Sequence, residues 1–130
     1  MHWVFEVCAG ILHLGNITFL SAHDEEGSVI DNASCGQSLR ACAQFFRVSE
    51  SLLGESLCSH SIEVRGEQNF IRHRPREAQE AADTLSKTIY SNMFNWIVSR
   101  INASVKGKKG SFIGALLFLF LYACRCYIYI

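Results

Sequence analysis

Apolar residues recur at helical spacing over residues 75–105, the longest periodic stretch of the chain. Steps of three and four between apolar positions are typical of a helix with one buried face. Pro75 fixes φ where this helix would begin, and Glu77 and Glu80 place negative charge where the helix dipole favours it. Over residues 89–101 apolar side chains occur on nearly every face, which is typical of a helix inside a larger protein. The periodic positions are Ala78, Ala82, Leu85, Ile89, Met93, Trp96 or Ile97, and Ile101.

The amino-terminal part of the chain predicts a helix followed by a short strand. Residues 3–14 carry apolar side chains at helical spacing and run into Gly15 and Asn16, a common helix ending. Residues 17–20 are typical of a strand. Because no capping residue precedes this helix, we expect the printed chain to begin inside a larger element.

The next segment predicts a loop and two short helices. Residues 21–35 are polar and acidic and favour a surface loop. Apolar faces over residues 37–46 and 49–58 predict two short helices, with Ser49 as the N-cap of the second. Such a pair usually contributes to a core and carries no chemistry.

Residues 61–74 predict an exposed β-hairpin. Ile62 and Val64 alternate with charged residues, residues 66–68 can turn, and Phe70 begins a return strand. On composition alone this segment is an ordinary surface loop that is rich in Glu and Arg.

Charge and cysteine content narrow the class of protein. Twelve acidic and twelve basic residues balance, so no net field attracts nucleic acid. Six cysteines and three N-glycosylation sequons would suit a secreted protein, but the amino terminus lacks the features of a secretory signal. We therefore expect a reducing cytoplasm. No metal site is predicted, because the acidic run at residues 24–26 and the Cys124-x-Cys126 pair lack the spacing of ligand sets.

Two blocks of sequence resemble a known family. LSKTIYSNMFNWIVSRIN at residues 85–102, with SFIG at residues 111–114, is similar to the upper 50-kDa subdomain of the myosin motor domain. ILHLGNITF at residues 11–19 resembles a second block of the same subdomain, in the family's order. The resemblance implies a partial motor domain over residues 1–116 and a divergent apolar tail over residues 117–130.

The resemblance also implies a fold and a location. We expect a mainly α fold with a short β-hairpin and an orphan C-terminal strand, as a fragment of the P-loop NTPase-type motor fold. The implied partner is the remainder of a myosin head, and the implied location is the cytoplasm in association with the cytoskeleton.

In this family the segment between the short helices and the long helix is a loop that contacts actin. Charged side chains on such a loop suit an electrostatically steered, salt-sensitive contact with a charged filament. By resemblance, the contact residues are Glu63, Arg65, Glu67, Gln68 and Arg72.

The family's ATP-hydrolysing parts do not occur in the printed sequence. Where the resemblance places the switch II aspartate, glycine and glutamate, this chain has Leu117, Phe120 and Tyr122. The G-x-x-x-x-G-K-[ST] phosphate-binding loop and switch I are absent from the 130 residues. We therefore expect no catalytic or cofactor-binding residues and no enzyme activity in this chain. The complete family domain is an actin-activated motor that depends on Mg-ATP.

The apolar tail leaves alternatives open. Residues 112–124 carry no charge and follow a basic segment, which is typical of a membrane anchor, but thirteen residues fall short of the roughly twenty that span a bilayer. The alternative functions are a small C-terminally anchored helical protein without motor activity, or a truncated product that does not function. The abrupt change after residue 115 or 116 also fits a read-through splice boundary or a shifted reading frame.

Overall fold

The computed structural model describes residues 2–22 and 27–105, with the side chains of Val64 and Val105 left out. The chain divides into two units, Met1–Trp96 and Ile97–Ile130. In chain order the elements are α1 His2–Gly15, β1 Phe19–Ser21, β2 Ser28–Ile30, α2 Asn32–Phe46, α3 Glu50–Cys58, β3 Ser59–Val64, β4 Glu67–Arg72 and α4 Pro75–Val105.

The described residues are mainly helical, with two antiparallel strand pairs, β1–β2 and β3–β4. This confirms the mainly α fold and the hairpin. The predicted orphan strand, the apolar tail and the basic segment before it lie outside the described residues. The acidic run at residues 24–26 does so as well. The predicted helix over residues 75–105 has the same bounds in the structure, and the first helix is one residue longer at each end.

The loop predicted over residues 21–35 is wrong in part, because it contains β2 and the first turn of α2. The helix α2 starts at Asn32 rather than at residue 37. Its cap is Asp31, whose carboxylate accepts hydrogen bonds from the backbone N–H groups of Ala33 and Ser34 at 3.2 and 3.4 Å. A side-chain acceptor at this position satisfies N–H groups that have no partner inside the helix, so the helix extends to it.

The break between α2 and α3 was predicted correctly. Arg47 ends α2 in the left-handed region at φ 56°, and the N–H of Val48 returns to the carbonyl of Ala43. The Oγ of Ser49 then accepts a hydrogen bond from the N–H of Leu52 at 3.1 Å, which confirms Ser49 as the N-cap of α3. Two helices with separate caps can change direction here, which lets both contribute to one core.

The core lies among α1, α2, α3 and the first half of α4. Leu14, Ile17, Cys42 and Leu57 are its largest fully buried side chains. Burial raises the pKa of the Cys42 thiol to about 11, so this thiol is protonated at neutral pH. It therefore behaves as a small apolar side chain.

Small residues allow α4 to approach this core. Ala78 and Ala82 are almost completely buried, and Ala82 belongs to the core cluster. Further along α4, Met93 is buried, whereas Trp96 stays 47% exposed although its ring meets the edge of Trp3 at a centroid distance of 4.6 Å. The helix therefore buries its first half more completely than its second within the first unit.

Leu14 and Leu12 give a matched test of this core, because both are leucines on α1. Leu14 is fully buried and Leu12 is 66% exposed. We expect Leu14→Ala to lower the free energy of unfolding by about 3 kcal/mol, since it leaves a cavity. Leu12→Ala should change it by less than about 0.5 kcal/mol. Urea unfolding monitored by circular dichroism checks both; equal effects would contradict the assigned core.

The cap at Asp31 gives a test that depends on pH. The hydrogen bond from the Ser34 hydroxyl is the main cause that lowers the pKa of Asp31 below its ordinary value of 3.8. Partial desolvation raises this pKa, and the N–H groups of Ser34 and Ala33 lower it further. A carboxylate with a lowered pKa contributes stability above pH 3.8, and the contribution is lost as pH falls through the lowered value. Asp31→Ala should therefore lower the melting temperature at pH 7.

The difference in melting temperature between Asp31→Ala and the parent chain should become smaller as the pH falls below 3.8. Asp31→Asn is the matched control, because its amide oxygen still accepts a hydrogen bond and has no charge to lose. Melting curves between pH 2.5 and pH 7 check this, with the conditions spaced by about half a unit so that the narrowing can be located. A difference independent of pH would contradict the role of the ionised cap.

Candidate partner-binding hairpin

The hairpin is a regular antiparallel pair closed by a two-residue turn. Its register runs from Ser59 opposite Arg72 to Val64 opposite Glu67. Arg65 and Gly66 form the turn with φ values of 56° and 84°. Positive φ at both central positions is typical of a type I′ turn, whose twist matches that of the strands it joins.

The turn was predicted at residues 66–68 and is one position earlier in the structure. Glu67 and Gln68 belong to β4, where each is directly opposite a residue of β3. The turn lies earlier because Gly66 supplies its second left-handed position, so Arg65 takes the first. The hairpin is therefore longer and more regular than the sequence suggested.

The register divides the five candidate contact residues among different parts of the hairpin. Glu63 is directly opposite Gln68, so their side chains share one face. Glu67 points to the other face, since neighbouring strand residues alternate. Arg65 occupies the tip, and Arg72 lies at the far end of β4 on the face of Glu63. The structure thus brings together Glu63 and Gln68 and separates Arg72 from Arg65.

Arg72 lies against a residue outside the hairpin, Gly27. A Cβ atom built on Gly27 would lie 3.0 Å from Cδ of Arg72, so the aliphatic stem of this arginine covers the glycine. Gly27 directly precedes β2, and its carbonyl accepts a hydrogen bond from the N–H of Ala22. Arg72 therefore joins the base of the hairpin to the β1–β2 pair, and its position differs from that of a freely projecting contact residue.

Phe70 was not among the candidates, and at 73% it is more exposed than Ile62 and Ile71, the other apolar side chains described in the hairpin. It is opposite Ser61 and shares the face of Glu63 and Gln68. Exposed aromatic side chains beside polar ones are enriched where proteins bind partners. The alternation of residues in β4 was a signal for it, because Gln68, Phe70 and Arg72 are spaced by two.

The charges of the hairpin are balanced. Glu63 and Glu67 oppose Arg65 and Arg72, and all four are exposed. Exposed charges are screened within about 8 Å at physiological salt, so they act on a partner only at close range. The hairpin therefore offers a mixed-charge tip with an aromatic side chain below it.

Hydrogen bonds fix the hairpin to the helices on both sides. The N–H of His73 donates to the carbonyl of Cys58 at 2.8 Å, which joins the end of β4 to the end of α3. The N–H of Arg74 donates to the carboxylate of Glu77 at 2.9 Å, which closes the first turn of α4. These bonds hold the base while the tip projects.

The described residues also bear on metal, pocket and membrane sites. No three metal-ligating side chains gather within residues 2–22 and 27–105. A groove of about 680 Å³ lies between β2 and α3, and burial raises the pKa of the Cys58 thiol at its edge. Among the described helices, none has the length and apolar character needed to cross a bilayer. The candidate anchor at residues 112–124 lies outside the described residues.

Comparison with known proteins identifies the family. The model of the myosin head (motor domain) family matches residues 1–119. The chain is 37% identical over 102 residues to Myosin-15 of Arabidopsis thaliana, covering 78% of this chain and 7% of that protein. It is 33% identical over 116 residues to unconventional myosin-Ia of Bos taurus, covering 87% of this chain and 11% of that protein.

A third relative is the Myosin IE heavy chain of Dictyostelium discoideum, 34% identical over 120 residues, which cover 87% of this chain and 12% of that protein. The helices and these matches define a segment of a motor domain. The chain belongs to the myosin head (motor domain) family, and it spans about a tenth of the length of these relatives.

The turn can be tested separately from any partner. Gly66 has φ 84° and nothing near the position of an added Cβ, so Gly66→Ala introduces backbone strain without a steric clash. We expect it to destabilise the hairpin by about 1 kcal/mol. Arg65→Asn should stabilise the hairpin, since asparagine tolerates positive φ and Asn-Gly favours this turn.

Amide hydrogen exchange across the β3–β4 ladder measures both effects. Exchange should be faster in Gly66→Ala and slower in Arg65→Asn, while amides of the α2 core serve as the internal reference. If Gly66→Ala left hairpin exchange unchanged, the type I′ turn would be wrong.

Proposed function

We propose that the hairpin β3–β4 is an actin-filament contact of a myosin head. The observation that carries this proposal is the hairpin's geometry. It is a regular two-stranded projection between the short helix α3 and the long helix α4, with every described side chain from Ser61 to Arg72 exposed. This is the position at which the family resemblance implies an actin-contacting loop.

The arrangement of side chains supports a mixed contact. Glu63 and Gln68 provide polar groups on one face, and Phe70 provides apolar area two residues further along the same face. Arg65 at the tip and Glu67 on the other face provide charges of opposite sign. Paired opposite charges suit a partner with both signs on its surface, because each fixes the orientation of the other.

The base of the hairpin has a separate role in this proposal. Arg72 covers Gly27, and the N–H of His73 bonds to the carbonyl of Cys58. A fixed base reduces the conformational freedom lost when the tip binds, which improves affinity without adding a contact. Within the five candidates, Arg72 therefore positions the hairpin, and the other four provide the contact.

The chain is proposed to act as part of the upper 50-kDa subdomain, with residues 1–116 as partial motor domain and residues 117–130 as a divergent tail. The resemblance supports this assignment. ATP hydrolysis with Mg-ATP is the property of the complete family domain, and this sequence lacks the phosphate-binding loop pattern. Leu117, at the expected switch II aspartate, cannot coordinate or hydrogen-bond a phosphate group.

The remainder of a myosin head is the second proposed partner. Trp3, Phe5, Leu12 and Trp96 are exposed large apolar side chains of the first unit. Exposed apolar residues of this size are typical of surfaces that other protein segments cover. Association with the cytoskeleton follows from both proposed partners.

Co-sedimentation with actin filaments tests the hairpin. The soluble chain should pellet with filaments, and the pelleted fraction should fall as salt rises. Arg65→Glu and Glu67→Lys should each weaken binding by about two- to fivefold, the size of an exposed charge contact. Phe70→Ser should weaken binding without changing its salt dependence, because it removes apolar area and no charge.

Two controls make this test specific. Lys87→Glu reverses an exposed charge on α4, away from the hairpin, and should leave binding unchanged. Arg65→Asn removes the tip charge while it favours the turn, so weaker binding by this variant cannot be assigned to an unfolded hairpin. Pelleting that does not depend on salt, or an equal loss with Lys87→Glu, would contradict the proposal.

A further inference from the structure

Two histidines meet at the base of the hairpin. His60 is the second residue of β3, and His73 follows the last residue of β4. The Nδ1 of His60 and the Nε2 of His73 are 2.7 Å apart. The register places His60 opposite Ile71, so His73 is its diagonal neighbour across the two strands.

The two rings meet edge to edge. Their centroids are 4.8 Å apart and their planes differ by 28°. Because the nitrogens are so much closer than the centroids, each ring directs a nitrogen at the other rather than stacking its face on it. The two facing nitrogens lie close enough for one metal ion to bridge them once the rings turn away from their head-on contact.

The other nitrogen of His73 fixes the state of its ring. Nδ1 of His73 is 3.0 Å from the carbonyl oxygen of Leu57. A carbonyl oxygen can only accept, so Nδ1 of His73 carries a proton, and in the neutral form of this ring Nε2 is the nitrogen that has the lone pair. A histidine that ligates a metal commonly donates its second N–H to a backbone carbonyl in this way, which holds the ring in place.

We propose that His60 and His73 form a binding site for a divalent transition metal of the Zn²⁺, Ni²⁺ or Cu²⁺ class. Imidazole nitrogen is a preferred ligand for these ions. The 2.7 Å separation is that of a hydrogen bond, and with Nε2 of a neutral His73 as the acceptor its proton belongs to Nδ1 of His60. On metal binding that proton moves to Nε2 of His60, and both facing nitrogens donate their lone pairs to the metal; the net charge of the neutral pair is unchanged.

Metal binding requires the two nitrogens to separate and at least one ring to turn, because the nitrogens face each other in the hydrogen bond. With metal–nitrogen distances of about 2.0–2.1 Å and tetrahedral angles, the two nitrogens would be about 3.3 Å apart. They must therefore separate from 2.7 Å, the distance of the hydrogen bond. His60 is exposed and can move, whereas His73 is held through Leu57.

Two histidines leave coordination positions for water, because no third metal-ligating side chain joins them among residues 2–22 and 27–105. Glu77, which lines the same surface recess as His73, already accepts a hydrogen bond from the N–H of Arg74. A site with two protein ligands binds more weakly than a structural zinc site with four. Bound metal would join β3 to the segment that leads into α4 and so fix the hairpin base.

The test uses the full chain and does not depend on actin. Substoichiometric Cu²⁺ should broaden the ring proton signals of His60 and His73 in NMR spectra before those of His2 and His13. Titration with Ni²⁺ followed by calorimetry should show a site that His60→Gln weakens at least about tenfold, as expected for the loss of a ligand. His73→Gln should have the same effect.

His2→Gln is the matched control, because His2 is exposed and remote in sequence from the pair. All variants keep the six cysteines, so metal held by thiolates contributes equally to each and cancels in the comparison. Saturating Zn²⁺ should slow amide exchange at the base of the hairpin in the parent chain but not in His60→Gln. Equal Ni²⁺ affinity of the parent chain and His60→Gln, or uniform broadening of all histidine signals, would overturn the proposal. The contact between the two rings would then be a hydrogen bond and not a metal site.

Discussion

The position of the hairpin depends on the junction where α3 ends and α4 begins. The N–H of His73 donates to the carbonyl of Cys58, a residue of the last turn of α3. One residue later, the N–H of Arg74 donates to Glu77 in the first turn of α4. Consecutive backbone donors thus bind to two different helices, so the strands between them cannot rotate freely about either helix. This junction holds the base of the hairpin, and the strand register then sets which residues share a face.

The core behind the junction explains why the junction itself is held in place. Leu57, whose carbonyl holds the ring of His73, is itself almost completely buried among the core residues. Ala78 and Ala82 are small enough to bring α4 against the same core. A larger residue at either position would push α4 outward, and interiors packed at native density tolerate such insertions poorly. Burial of small residues and the hydrogen bonds of the junction therefore act on the same pair of helices.

Sequence reasoning identified the elements whose signals are local. The bounds of α4 followed from Pro75 and the apolar period, and the start of α3 followed from Ser49. It missed β2, which has three residues and depends on pairing with β1 across the intervening loop. It also missed the true start of α2, where Asp31 was assigned to an acidic loop rather than to a cap. Pairing partners and the choice between loop and cap depend on tertiary contacts, which periodicity does not contain.

The positions of the candidate contact residues also depended on strand pairing that the sequence pattern does not contain. The backbone of Arg65 was visible only in the structure. Alternation could place Glu63 and Gln68 near each other only once the turn was known, and the turn was one residue away from its expected position. Arg65 adopts φ 56°, a region that costs a residue with a Cβ roughly 1 kcal/mol and that asparagine or glycine would occupy more easily. An arginine at this position therefore gives up turn stability for a long cation at the tip. Strain of this kind is often found where a side chain serves a partner rather than the fold. A long cation at the exposed tip is accessible to a partner, which is why we assign the proposed contact to the tip rather than to the better-packed base.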